Sequence, residues 1–275
     1  MQKLSINEIK HKANLIRQDI IEMLLSAGSG HSAGPLGMAD VFACLYFEIL
    51  KHNPQSPKDE NRDRLVLSCG HICPVLYASL AESGYFPKAE LKTLRKLNSR
   101  LQGHPHNLSL PGVETSSGPL AQGVSQAVGM AYGLMMDGKK SQRVYLIMSD
   151  GEQQEGQVWE AVMFAGKYRL HNLTAYLDRN NIQIDGNTED VMPLGQLKAK
   201  YEAFNWHVIE VDGHNHQAII DASYEAKAIY EKPTLVIAHT IPGKGVDFME
   251  GDYKWHGMPP NQEQAERALR QLGVN

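Results

Sequence analysis

Residues 149–156 read SDGEQQEG, and they close the apolar run Val144-Tyr145-Leu146-Ile147-Met148. About one strand-helix-strand unit later a second apolar run stops on Asp178-Arg179-Asn180-Asn181. In parallel βαβ units the carboxyl ends of both strands emerge on one edge of the sheet, where ligands of open α/β sheets sit. Adjacent strands lie about 4.8 Å apart, or about twice that with one strand between, so Asp150 and Asn180 are candidates to converge on one object. One carboxylate, one amide oxygen and loop carbonyls make a hard, oxygen-only donor set. Such a set suits Mg²⁺ or Ca²⁺ that completes its coordination with phosphate oxygens and water. The alternative, on position alone, is that Asp-Gly and Asn-Asn only form turns. Asp-Gly also signals a hairpin, but here a helical segment follows in place of a partner strand.

The same alternation extends outward from this pair. Upstream, Leu4 to about Ala27 has apolar residues at helical spacing (Ile9, Ala13, Ile16, Ile20, Leu24), and Gly28, Gly30, Gly34 and Gly37 then predict a loop. A mostly apolar helix is expected over 37–50, a polar surface connection over 53–63 and a short strand over 64–68. Residues 99–120 lack periodicity and carry many turn residues, which predicts an extended loop of the kind that is usually functional when long. It leads into a helix over 121–136 whose Gly123, Ala127, Gly129, Ala131 and Gly133 permit close packing. Strand 144–148, helix 156–168, strand 173–178, strand 206–211, helix 215–230 and strand 234–239 follow. Strands alternating with helices imply an α/β fold with a doubly wound, mainly parallel sheet and helices on both faces. No repeat or linker interrupts the 275 residues, so one domain over 1–275 is expected.

Composition narrows the function. Hydrophobic residues make up 42% and charged residues 21%, values of a soluble globular chain. The formal charge of −4, without a Lys/Arg run, argues against a nucleic-acid backbone as partner. The N-terminus carries charges throughout, unlike a signal peptide, and no apolar stretch reaches membrane-spanning length, so the cytoplasm is the expected compartment. Three cysteines, Cys44, Cys69 and Cys73, are not spaced as a disulfide framework. Cys69, His71 and Cys73 lack the second ligand pair that a structural zinc site needs.

An acidic residue with Gly, followed about thirty residues on by Asn-Asn, resembles the signature of thiamine diphosphate enzymes. That resemblance implies that Asp150, Asn180 and the carbonyl of Ile182 hold the ion that clamps the diphosphate, with Ser149 replacing the usual first Gly. The stretches SGHSAGPLGMAD (29–40), CGHICPVLYASL (69–80), GHPH (103–106), GVETSSGPLAQG (112–123), DRNNIQIDG (178–186) and KWHG (254–257) together resemble transketolase, in order and over nearly the whole chain. The paired SGH and GHP histidine loops separate this family from the pyruvate decarboxylase types.

The resemblance implies a thiamine diphosphate-binding fold of the diphosphate-holding type and assigns roles. His31, His104 and His256 would contact the substrate's hydroxyls and reacting carbonyl, and His71 would approach the diphosphate. Imidazole suits such work because it donates or accepts a proton near neutral pH. Gly118 and Leu120 would line the cofactor, Gly151 would let the backbone approach the diphosphate, and Ile184 would pack on the thiazolium ring. Glu155 and Glu160 correspond to glutamates near a dimer interface, with solvated helix charges as the plain alternative. Lys244 is a candidate for meeting an anionic sugar, while His214 and His216 are left to the turn before a helix.

Conventional transketolases are more than twice as long, and the resemblance covers their first domain. The chain is therefore expected to be the N-terminal subunit of a split transketolase in the pentose phosphate pathway, inactive alone. A separate pyrimidine-binding subunit of about 300 residues would complete it as an α2β2 heterotetramer. The expected reaction is transfer of a two-carbon ketol unit from a ketose to an aldose, with ordinary pentose phosphates as the default substrates and a modified sugar as the alternative. Another thiamine diphosphate carboligase subunit, deoxyxylulose-phosphate synthase-like or keto-acid dehydrogenase-like, and a non-catalytic thiamine scaffold are the rival readings.

Overall fold

The computed structural model describes residues 4–139 and 141–274. Five strands form one sheet: β1 (Arg64–Leu67), β2 (Val144–Ser149), β3 (Leu173–Arg179), β6 (His207–Asp212) and β7 (Thr234–His239). Their order is β1-β2-β3-β7-β6, and every pairing is parallel. The strands β4 (Ile182–Gln183) and β5 (Gly186–Asn187) form a small antiparallel hairpin outside it. β2 and β3 are direct neighbours, with Ser149 opposite Asp178. The two oxygen-donor stretches therefore leave the same edge side by side.

Period-two alternation decides what each face of the sheet meets. Leu65, Leu67, Tyr145, Ile147, Tyr176, Val236 and Ala238 enter one core. That core is covered by α1 (Ile6–Ala27), α2 (Ala33–Cys44), α3 (Cys73–Glu82), α8 (His216–Ala228) and α9 (Gln262–Gln271). Val66, Val144, Leu146, Met148, Leu173, Ala175, Leu177, Leu235 and Ile237 enter the other, under α4 (Gln122–Met136), α5 (Gly156–Lys167) and α7 (Leu197–Ala203). Burial on both faces explains why the central strands read as continuous apolar runs. A further helix, α6 (Thr188–Val191), is a single turn after the hairpin.

The expected strands are all present, each within one residue of its expected ends. The glycine loop differs: α2 begins at Ala33, so Gly34 and Gly37 lie inside a helix. Both are close-approach positions. A Cβ on Gly34 would lie 2.8 Å from Ile72 Cγ2, and one on Gly37 would lie 3.0 Å from the Ile241 carbonyl. The expected helix over 37–50 changes to π geometry over Leu45–Ile49. Helices α3, α7 and α9 and the hairpin were not anticipated, whereas residues 99–120 contain no helix or strand. Among the described residues no helix is long and apolar enough to cross a membrane.

Candidate active site

The carboxyl edge of β2 and β3 opens into a cavity of about 430 Å³. Asp150, Gly151, Glu155, Asn180, Ile182 and Ile184 line it from the sheet side, and His31, His71, His104, Gly118, Leu120 and His256 line it from the loops. The tight contacts that bring the loops together are local. Gly34 lets α2 lie against the turn at Gly70–Ile72, which draws His31 toward His71. A Cβ on Gly70 would lie 3.1 Å from the Gly118 amide nitrogen, so glycine there lets the 115–120 segment approach. Cys73 Sγ donates to the Gly103 carbonyl at 3.2 Å and Tyr77 Oη to the Gln102 carbonyl at 2.8 Å, so α3 holds the loop that carries His104. Ser32 Oγ donates to the Met258 carbonyl at 2.6 Å and fixes the segment that carries His256.

At the sheet edge, Asp150 is 1% exposed. Its Oδ1 accepts from Gly151 N at 2.7 Å. Its Oδ2 accepts from Arg179 Nη1 at 3.0 Å, Asn181 N at 2.8 Å and Thr188 Oγ1 at 3.2 Å. Burial pushes this carboxyl up, against the pull of Arg179 and of the two amides. Asn181 has φ 64, a left-handed conformation that asparagine tolerates, and it turns the chain sharply just after Asn180. Asn180 Nδ2 donates to Asp178 Oδ2 at 2.7 Å, which aims its amide oxygen the other way. That oxygen accepts from Ile182 N at 3.0 Å and keeps a second lone pair. Asp178 is fully enclosed and also accepts from Thr240 Oγ1; burial pushes its carboxyl up to about 7.

Opposite stand four imidazoles. His31 lies 5.1 Å from His71, 6.5 Å from His104 and 5.4 Å from His256 between ring centroids, and His71 lies 5.1 Å from His256. Burial, then the charges of His256, Arg95 and His104, push His31 down to about 4. Burial is also the leading cause of the lowered values of His71, His104 and His256. At neutral pH the cluster is a set of uncharged donors and acceptors.

Two buried polar atoms facing this cavity, His31 Nδ1 and Gln183 Nε2, have no hydrogen-bond partner among the described residues. Unsatisfied buried donors and acceptors are costly, and here they suit a polar ligand. The donor set fits a small divalent cation bridged to phosphate oxygens, with Asp150, Asn180 and Ile182 as candidate ligands. Among the described residues no cluster of three or more His, Cys, Asp or Glu could hold a metal ion. Exposed Ile184 (73%) at the hairpin tip and Leu120 give the cavity an apolar side.

Not every singled-out residue comes here. Lys244 lines a separate cavity of about 330 Å³ with Arg17, Asp40 and His214, and it pairs with Glu250 at 3.4 Å. Gly243 and Gly245, both at positive φ, turn that segment back toward α1 and α2. Glu160 is exposed on α5 outside the cavity. His214 and His216 flank Asn215, the cap of α8, and both approach Asp40. Sequence reading passed over Glu152, Gln183 and Arg179, although each lies inside a quoted motif. Glu152 meets Ser68, 84 residues away, and Arg179 meets Asp150, 29 residues away, and no spacing announces either contact.

Residues 9–275 match the family described as transketolase, thiamine diphosphate binding domain. The chain is 43% identical over 265 residues to a 6-deoxy-6-sulfo-D-fructose transketolase subunit from a Clostridium species, covering 96% of each chain. It is 39% identical to an apulose-4-phosphate transketolase subunit from Phocaeicola vulgatus, covering 98% of this chain and 95% of that one. The transketolase structure from Leishmania mexicana superimposes with a TM-score of 0.93 at 35% identity, covering all of this chain and 42% of that one. The chain thus spans nearly all of the subunit relatives and under half of the full-length enzyme, and it belongs to the family of transketolase thiamine diphosphate-binding domains.

Proposed function

We propose that this chain is the N-terminal subunit of a transketolase built from separate chains, transferring a two-carbon ketol unit from a ketose to an aldose. The observation that carries this is the shared cavity onto which Asp150 and Asn180 open from adjacent strands, facing His31, His71, His104 and His256. Asp150, Asn180 and the Ile182 carbonyl would hold Mg²⁺ or Ca²⁺, and Gly151 and His71 would meet the diphosphate. Gly118, Leu120, Glu155 and Ile184 would bound the rest of the cofactor. Thiamine diphosphate, when bound, supplies the electron sink that lets a carbon–carbon bond next to a carbonyl break and form. His31, His104 and His256 would orient the substrate and move protons at its hydroxyl and carbonyl oxygens.

The partner in this reading is a pyrimidine-binding subunit. Its support is the near-complete coverage of relatives named as subunits, together with an uncovered face on α4 and α5. There Gly129 and Gly133 would meet nothing within 4 Å even with a Cβ, beside Met163, Phe164 and Tyr168, which are 38–56% exposed. An α2β2 assembly and a single-domain chain over 1–275 belong to the same proposal. The proposed donor is an anionic ketose, since the two subunit relatives are named for a sulfonated and a phosphorylated ketose.

Co-purification with a candidate partner, followed by ketol transfer from a panel of phosphorylated and sulfonated ketoses, tests the reading. Turnover should require both chains. Asp150→Ala should lower metal-dependent binding of thiamine diphosphate by about 100-fold or more, as expected when a metal ligand is removed from a small donor set. Turnover by the lone chain, or cofactor binding indifferent to Asp150→Ala, would refute it.

A further inference from the structure

The Asp150 carboxylate is engaged unevenly. Oδ2 accepts three hydrogen bonds, from Arg179, Asn181 N and Thr188, while Oδ1 accepts one, from Gly151 N. A carboxylate offers about four lone-pair directions, so Oδ1 is the oxygen left for a cation. Arg179 sits at ion-pair distance from this carboxylate, 3.0 Å, with its side chain only 13% exposed. Its other terminal nitrogen bonds Glu189, which is 43% exposed and shares its charge with water.

Charge counting then decides the behaviour of the site. Asp150 and Arg179 cancel formally, and Asn180 and a backbone carbonyl are neutral. Asp178 is turned to Thr240 and to the amino group of Asn180. Of the other carboxylates that line the cavity, Glu152 is held by Ser68, Ala121 N and Ser149 N, and Glu155 and Asp185 are exposed and share their charge with water. At the ligands themselves a dication arriving alone meets a carboxylate already paired with a guanidinium, together with neutral dipoles. A dication arriving with a diphosphate brings its own counter-charge.

Resting on the thiamine diphosphate reading above, we infer that Arg179 makes the cation site conditional: it keeps metal affinity low until an anionic diphosphate enters with the ion. Arg179 is a positioning and charge-setting residue in this scheme, not a ligand. The aim of Asp150 does not depend on it, because without Arg179 the Oδ2 atom keeps Asn181 N and Thr188, and Oδ1 keeps Gly151 N. Removing Arg179 therefore strips a positive charge from beside the ligand and leaves the ligand in place. A merely structural role would weaken metal binding on removal, whereas this one strengthens it.

The test is titration of the full chain with Mn²⁺ alone, free ion being read by electron paramagnetic resonance. Arg179→Gln and Arg179→Met should each bind Mn²⁺ at least about tenfold more tightly than the wild type, a fold-change in line with Coulomb interactions at short range in a partly buried site. Arg179→Lys, which keeps the charge, should stay within about threefold of the wild type on the same argument. Asp150→Asn added to Arg179→Gln should abolish the gain. Unchanged or weaker binding by both neutral variants, or a gain that survives Asp150→Asn, overturns the inference.

A second arm separates its failure from that of the cofactor reading. Wild-type chain, pyrimidine-binding partner and thiamine diphosphate are titrated together. Mn²⁺ uptake there, with no gain in the neutral variants alone, removes the role of Arg179 and leaves the cofactor reading standing. Absence of uptake removes both.

Discussion

His31 concentrates the chemistry of the site in one side chain. Its Nδ1 is buried without a partner among the described residues, three other imidazoles surround it, and its protonation is pushed from 6.5 down to about 4. Between those two values the unfolded chain binds a proton that the folded chain refuses, so folding is favoured above pH 6.5 and that advantage is lost as pH falls toward 4. Allowing for partial solvent screening, the effect is about 1–2 kcal/mol. His31→Asn should therefore lose less stability than the wild type across that window, with a residual slope from His71, His104 and His256. Urea denaturation at pH 7.0 and 4.5 measures it; parallel losses would sink the idea. The residue itself was legible because glycine flanks it in a loop. Its lowered affinity for protons was not, since that depends first on burial and then on the charges of His256, Arg95 and His104, which are distant in sequence.

At the level of elements, Glu152 joins three pieces that the sequence shows separately. Its Oε1 accepts from Ser68 Oγ at the end of β1 and from Ala121 N at the start of α4, and its Oε2 accepts from Ser149 N at the end of β2. Ala121 is held at φ 71, unusual for a residue with a side chain, and the hydrogen bond its N–H donates to Glu152 Oε1 at 2.6 Å helps fix that turn. Leu120, on the cavity wall, precedes it directly. Glu152→Gln would place an amino group against one of these donors in a fully enclosed site, leaving buried groups unsatisfied. A loss of about 2–4 kcal/mol is expected in chemical denaturation; a loss under about 0.5 kcal/mol, the ordinary surface range, would show that the clasp is not needed. The strands were legible because doubly buried strands are apolar throughout. Helix α3 was not: Cys73 to Ala81 are all buried, so no polar face marks its period. Gly34 and Gly37 misled for the opposite reason, since tight packing, not a turn, is what calls for glycine there.

On the scale of the whole molecule, one face lacks the cover its chemistry would ordinarily have. Tyr132, Phe164 and Tyr168 form an aromatic group across α4 and α5, with centroids 4.4–5.4 Å apart, and Phe164 and Tyr168 remain partly exposed. Gly129 and Gly133, one helical turn apart on α4, leave a shallow groove beside them in which another helix can approach closely. In a chain folding alone, glycine inside an exposed helix costs about 0.5–1 kcal/mol relative to alanine. A large side chain at Gly129 should leave the fold intact or slightly more stable, because a Cβ there meets nothing within 4 Å. The same side chain would hold a partner helix away. Gly129→Trp is thus expected to melt at or above the wild-type temperature, yet to abolish both co-elution with the pyrimidine-binding subunit and ketol transfer by the pair. Asp137→Trp, at the exposed residue that ends α4, is the matched control and should assemble normally. Undiminished assembly of Gly129→Trp would move the subunit contact elsewhere on the surface.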